Sequence, residues 1–261
     1  MRGLPFYALH PQANFTINGP VAFHFDLNYL SPLYKSEIKT PLLPIVYQTL
    51  KHLRDQQVEA IAASFSYSQT SGKVPLGSRF LGGLFTEIFD TTDMLNKPTP
   101  EDWQQRANAL YLPELFNVST ARDILLQLLS SNPEDPSLYY ALYQISRESR
   151  STRYAALNYL ADAVQRDPVY ASEYLYLTPL AREKGRHDEA IRLLRLAVEA
   201  SPDSPFMALE LAHALLADGR TDNAVPLLRQ LLALNWSAIF YPDMPAYIET
   251  LLSQAGNSQK P

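Results

Sequence analysis

The C-terminal half of the chain repeats itself every 34 residues. Segments beginning at Ser137, Ala171 and Pro205 place small and large apolar residues in the same columns. The twentieth position holds Ala156, Ala190 and Ala224, the twenty-fourth Leu160, Leu194 and Leu228, and the twenty-seventh Ala163, Ala197 and Leu231. The seventh is Tyr143, Leu177 and Leu211, the thirty-second Pro168, Pro202 and Trp236, and the fifteenth is Gly185 and Gly219 in the last two copies. A fixed period of this length points to one supersecondary unit stacked on copies of itself, because a single copy cannot bury its apolar face alone.

Each copy reads as two antiparallel α-helices. Alanine at the twentieth position lets the helices of a pair approach closely, and the large residues fill the space between pairs. Glycine permits the turn between them, and proline near the end stops the second helix. Asp135-Pro136 and Ser204-Pro205 are expected starts, with a capping side chain followed by proline at the first helical position. Asp188 and Asp222 fall in the first turns of second helices, where the macrodipole favours negative charge. Pro179 and Pro226 fall inside helices and are expected to bend them.

On these residues the segment GRHDEAIRLLRLAVEASPDSP, followed by GRTDNAVPLLRQLLALN, resembles the tetratricopeptide repeat family. The resemblance covers 137–238 and implies a mainly α fold, a helical-hairpin solenoid over 99–255 with repeats at 137–170, 171–204 and 205–238. A degenerate copy is expected at 101–136, on Ala121, Leu125 and Leu128 with Trp103 and Leu110, and a closing helix at 243–254.

Residues 1–98 differ in character, and a small α/β region is expected there. PVAFHFDLNYL and VEAIAASFSYS are β-favouring runs, and PLLPIVYQTLKHLRDQQ between them has helical spacing at Ile45, Leu50 and Leu53. Strand, helix and strand then make one parallel crossover, with a further helix at about 78–89. Two strands and one crossover do not enclose a core, so the region must lean on the repeats, on a partner or on further sequence.

Composition narrows the chemistry. The 261 residues include no cysteine, which excludes disulfides, a thiolate nucleophile and Cys-based zinc sites. With 22 basic and 27 acidic residues and a net charge of −5, the chain has no broad footprint for nucleic acid. No apolar run approaches the roughly 20 residues of a membrane span, so no membrane insertion is expected. The opening residues have too short an apolar stretch for a signal peptide, and a cytoplasmic location is expected. The stretch Ser68–Ser78 holds glycine, lysine and hydroxyls without the spacing of a phosphate-binding loop. The five histidines form no ligand pair, and no cofactor is implied.

A second resemblance covers residues 20–75. His24-Phe25-Asp26-Leu27-Asn28-Tyr29-Leu30-Ser31-Pro32 is similar to the metal-binding strand end of the arginase and ureohydrolase family, with Asp26 as the corresponding ligand. The second and third acidic positions of that motif are Asn28 and Ser31 here. This resemblance implies, as the alternative function, the remnant or C-terminal part of a metal-dependent C–N hydrolase with the repeats as an accessory arm.

The repeat resemblance implies instead a protein-interaction scaffold with a concave groove lined by the first helix of each pair. Carried onto this chain, the groove residues are Leu138, Leu142 and Ile145 in the first copy, and Leu175, Tyr176 and Arg182 in the second. The third copy contributes Phe206, Leu209, Glu210 and His213. The surface is mostly apolar, and its early positions hold Leu, Ala, Ser and Phe in place of the Lys, Arg and Asn with which some family members clamp a terminal carboxylate. The implied partner is a hydrophobic peptide or helix of another protein, or the chain's own N-terminal region.

Overall fold

The computed structural model describes residues 19–26, 42–56, 60–66, 76–91, 93–115, 117–147 and 153–257. It divides into two compact units, Met1–Leu160 and Ala161–Pro261. The division does not follow the compositional change near residue 98, and the packing of the first unit gives the reason.

In that unit, strands β1 (Val21–Asp26) and β2 (Ala60–Ser66) form a two-stranded parallel sheet, joined through helix α1 (Leu42–Asp55). This is the crossover expected from the sequence. The register shifts between Val21 and Ala22. His24 is held by β2, its Nδ1 lying 2.9 Å from Ser64 Oγ and its Nε2 3.2 Å from Ser66 Oγ. Helix α2 (Leu81–Asp90) follows, and then α3 (Glu101–Tyr111) and α4 (Val118–Ser131), the pair expected as a degenerate copy.

One core joins these elements. Val46 and Leu50 of α1, Leu81, Leu84, Phe85 and Ile88 of α2, and Trp103 and Ala107 of α3 are all buried in a single cluster. The α/β region therefore leans on the first helix of the repeat-like pair, which is why residue 98 does not separate two compact bodies. A second cluster packs Ala109 of α3 and Leu125 and Leu128 of α4 against helix α5 (Pro136–Arg147), and Tyr159 of helix α6 (Arg153–Arg166) rests on it. The start of α5 is capped as expected: Ser137 N–H donates to Asp135 Oδ1 at 2.9 Å. Arg106 of α3 reaches the same corner, donating to the Asp135 carboxylate and, at 2.7 Å, to Ser137 Oγ.

The second unit is a run of hairpins. Helices α7 (Ser172–Glu183) and α8 (His187–Ala200) pair, as do α9 (Pro205–Ala217) and α10 (Thr221–Leu232), while α8 packs on α9 and α10 on the closing helix α11 (Met244–Asn257). Contacts between sequence neighbours dominate, as stacking requires. All nine residues at the twentieth, twenty-fourth and twenty-seventh positions are 3% exposed or less. Pro205 opens α9 at its first position, but Ser204 makes no side-chain cap, so proline alone supplies the start signal there. Pro179 and Pro226 both lie inside assigned helices.

The two interhelical turns are alike in detail. Gly185 and Gly219 have φ of +69° and +74°, in the left-handed region. The next residue in each case reaches back across the turn, Arg186 N to Ala181 O at 2.9 Å and Arg220 N to Leu215 O at 2.8 Å, the 6→1 closure of a Schellman motif. A Cβ at either glycine would meet nothing within 4 Å. Alanine at Gly185 or Gly219 is therefore expected to destabilise by about 1 kcal/mol each, a purely backbone cost. Chemical denaturation of each single variant checks this, and equal midpoints for parent and variant would contradict the turn assignment.

Candidate functional site

The first-helix face lies differently in the two units. In the first unit it is filled. Leu138, Leu142 and Ile145 are buried in the cluster with α3 and α4, none more than 9% exposed. On the same helix the short turn Leu76–Ser78 comes so near that a Cβ on Gly77 would stand 3.0 Å from the Gln144 amide oxygen. These three side chains complete the packing of α5 and present no area to a ligand.

In the second unit the face is partly open. On α7, Tyr176 and Leu175 are half-buried, Leu175 against the cluster of α8 and α9, and Arg182 is exposed. On α9, Leu209 is buried with Leu228, Ile248 and Leu251. Phe206, Glu210 and His213 recur every three to four residues and so share one side of that helix. Glu210 is exposed and Phe206 retains 43% of its surface.

The closing region borders this side of α9. Phe206 packs edge-on against Trp236, with ring centroids 6.0 Å apart, and against Tyr241 at 5.4 Å. His213 stacks edge-on with Tyr247 of α11 and lies 2.8 Å from its hydroxyl. Trp236 is fixed in turn by donating from Nε1 to Leu231 O at 2.8 Å. Helix α11 thus stands where the first helix of a further copy would stand, and Tyr247 extends the face by one helix.

Sequence reasoning missed Trp236, Tyr241 and Tyr247 because the 34-residue phase is lost after Trp236. The signal it could have used is the aromatic and aliphatic density of LNWSAIFYPD, high for a connection between helices.

Charge at the site is sparse. Arg220 bridges the two hairpins of this unit, donating to Asp188 of α8 and, from Nε at 2.6 Å, to Asp218. Donating to the Asp188 carboxylate, and next to that of Asp218, holds the guanidinium pKa above its usual range. This is a staple on the hairpin turns, not a ligand site.

Asp26 closes β1 opposite Ser66 in the register, while its side chain, together with Asn28 and Ser31, lies outside the described residues. Among the described residues no three His, Cys, Asp or Glu gather as a metal site. No described helix is long and apolar enough to cross a membrane.

Comparison with known proteins bears on the second unit. Residues 181–235 match the tetratricopeptide repeat family. Among solved structures, the fold is similar to two crystal structures of MamA. One is 15% identical, covering 71% of this chain and 95% of that one at a TM-score of 0.34; the other is 19% identical, covering 60% and 86%, also at 0.34. TTC0263, a thermophilic TPR protein of Thermus thermophilus, is 22% identical over 68% of this chain and 96% of its own, at a TM-score of 0.32. No curated protein matches the sequence. The stretch 181–235 that matches the tetratricopeptide repeat family spans the α8–α9–α10 stack and both glycine turns of this helical-hairpin array.

Proposed function

We propose that this chain is a protein-interaction scaffold whose second unit receives an apolar peptide or helix of a partner protein along α7 and α9. The observation that carries this reading is the side of α9 that bears Phe206, Glu210 and His213. It is turned away from the Leu211–Leu215 core and keeps an exposed aromatic edge beside a carboxylate. An amphipathic partner helix would lay apolar residues on Phe206 and the half-buried Tyr176, and a basic residue at its border would meet Glu210. Of the ten groove residues read from sequence, Tyr176, Arg182, Phe206, Glu210 and His213 remain for contact. Leu175 lends its partly buried stem, and the others belong to packing. Leu142→Glu is therefore no probe of binding, because a carboxylate at a fully buried position would unfold α5.

Tyr176→Ala is the informative change. It truncates a half-buried aromatic, a class of residue that anchors interfaces at about 2 kcal/mol or more. Affinity capture with the full chain is expected to enrich a specific partner, and Tyr176→Ala is expected to reduce that capture about tenfold or more with unchanged circular dichroism. A photo-crosslinker at Arg182 or Glu210 should label the same partner. Capture by the variant equal to that by the parent, with crosslinks mapping away from α7 and α9, would reject the reading.

A further inference from the structure

The end of a helical stack needs a polar outer face, and α11 supplies one. Glu249, Thr250, Ser253 and Gln254 are exposed along it, and Thr250 and Ser253 turn their hydroxyls back to Ala246 O and Glu249 O, each at 2.9 Å. The stack is therefore already closed. The connection between α10 and α11 is a separate matter. It exposes Ile239 at 85% and Phe240 at 77%, with Leu234 at 47% and Tyr241 at 41%, beside the half-open Phe206 and Tyr247. Capping does not require this surface.

The connection is also held in shape. Tyr241 N bonds Ser237 O at 2.8 Å, Phe240 N lies 3.3 Å from Ser237 Oγ, and Tyr241 is wedged between Phe206 and Trp236, 5.9 Å from the indole centroid. Ile239 and Phe240 project from a structured base.

We infer that this patch is the contact surface of a two-fold homodimer of the chain. Two observations select a second copy over other occupants. At their stated exposures, six side chains of this size present on the order of 600 Å² per copy. Two copies together would bury roughly 1,200 Å², at the lower bound of specific interfaces. The same patch supplies both a projection, Ile239 and Phe240, and an aromatic bed, Phe206 with Tyr241, and a two-fold axis needs that self-complementarity, since each surface must receive itself. The formal charges that border it, Asp243 and Glu210, are both acidic and give an anionic bilayer nothing to attract. The patch shares Phe206 with the proposed groove but includes neither Tyr176 nor Arg182 of α7.

Sedimentation velocity of the full chain from about 1 to 100 μM tests it. The parent is expected to move from 29.4 kDa toward twice that mass as concentration rises. Ile239→Ser with Phe240→Ser is expected to weaken dimerisation at least tenfold without altering the circular dichroism, since both side chains already face solvent. Tyr176→Ala should leave the dimer unchanged, which separates this inference from the groove reading. A parent that stays at 29.4 kDa throughout would overturn the proposal. So would a dimer indifferent to the double change, a ladder of higher masses abolished by it, or a monomer that sediments with phosphatidylcholine vesicles in a Phe240-dependent way.

Discussion

Alanine at Trp103 is expected to cost about 4 kcal/mol of stability in the first unit, the upper range for removing a buried aromatic. Trp103 is 4% exposed and touches a core built mostly from α1 and α2. Its indole is the largest group that the repeat-like pair inserts beneath the α/β region, and a parallel two-stranded sheet has little else to stand on. On that sheet Ile61 is 69% exposed, and Phe23 is the partly buried β1 residue that packs against the core. The chain has two tryptophans, and Trp236 lies in the second unit, so a Trp103→Ala chain has one fluorophore there. Urea unfolding should then show an early loss of helical signal ahead of the Trp236 transition. Hydrogen exchange should localise that loss to α1–α3. A loss below about 1 kcal/mol, or coincident transitions at the parent midpoint, would mean that the α/β region has a core independent of α3.

The sequence made the second unit readable because its information is periodic. Ala190 and Ala224, Leu194 and Leu228, and Gly185 and Gly219 each do the same physical job twice, so a single alignment at 34 residues exposes all of them. The parallel crossover was legible for a related reason, since β1 and β2 are short β-favouring runs on either side of a helical period. What sequence could not supply was occupancy. The second, fifth, sixth and ninth positions of a first helix face the same way in every copy. Whether that direction is open depends on what the rest of the chain places there. In α5 it is filled by α3 and α4, so Leu138, Leu142 and Ile145 are core, whereas the equivalent side of α9 keeps Phe206 and Glu210 available.

The aromatic corner was illegible for the opposite reason. The alignment puts Trp236 in a column where earlier copies have proline and so gives it no contact, and Tyr241 and Tyr247 come after the period ends. Their role arises from contacts across the connection: Phe206 meets Trp236 and Tyr241, while His213 meets Tyr247. Such contacts depend on where the chain turns after α10, and the helical period carries no information about that.

Leu228→Ala is expected to destabilise the second unit by about 3 kcal/mol, within the range for buried leucine truncations in tightly packed cores. Leu228 is fully buried where α9, α10 and α11 converge, with Leu209 and Ala212 of α9, Leu231 of α10, and Ile248 and Leu251 of α11. Each hairpin is supported by the next, so the loss should be felt most at the end that has one neighbour. Exchange protection of α11 is expected to fall before that of α8. Trp236, bonded to Leu231 O, reports the event directly, and its emission should shift at lower urea than in the parent. Leu232→Ala, half-buried on the same helix, serves as the comparison and should cost about 1 kcal/mol or less. The double change Leu228→Ala with Ile248→Ala should be non-additive by about 0.5–3 kcal/mol, because the two side chains line one cluster. Equal losses for Leu228→Ala and Leu232→Ala would remove the basis for treating α9, α10 and α11 as one packed stack.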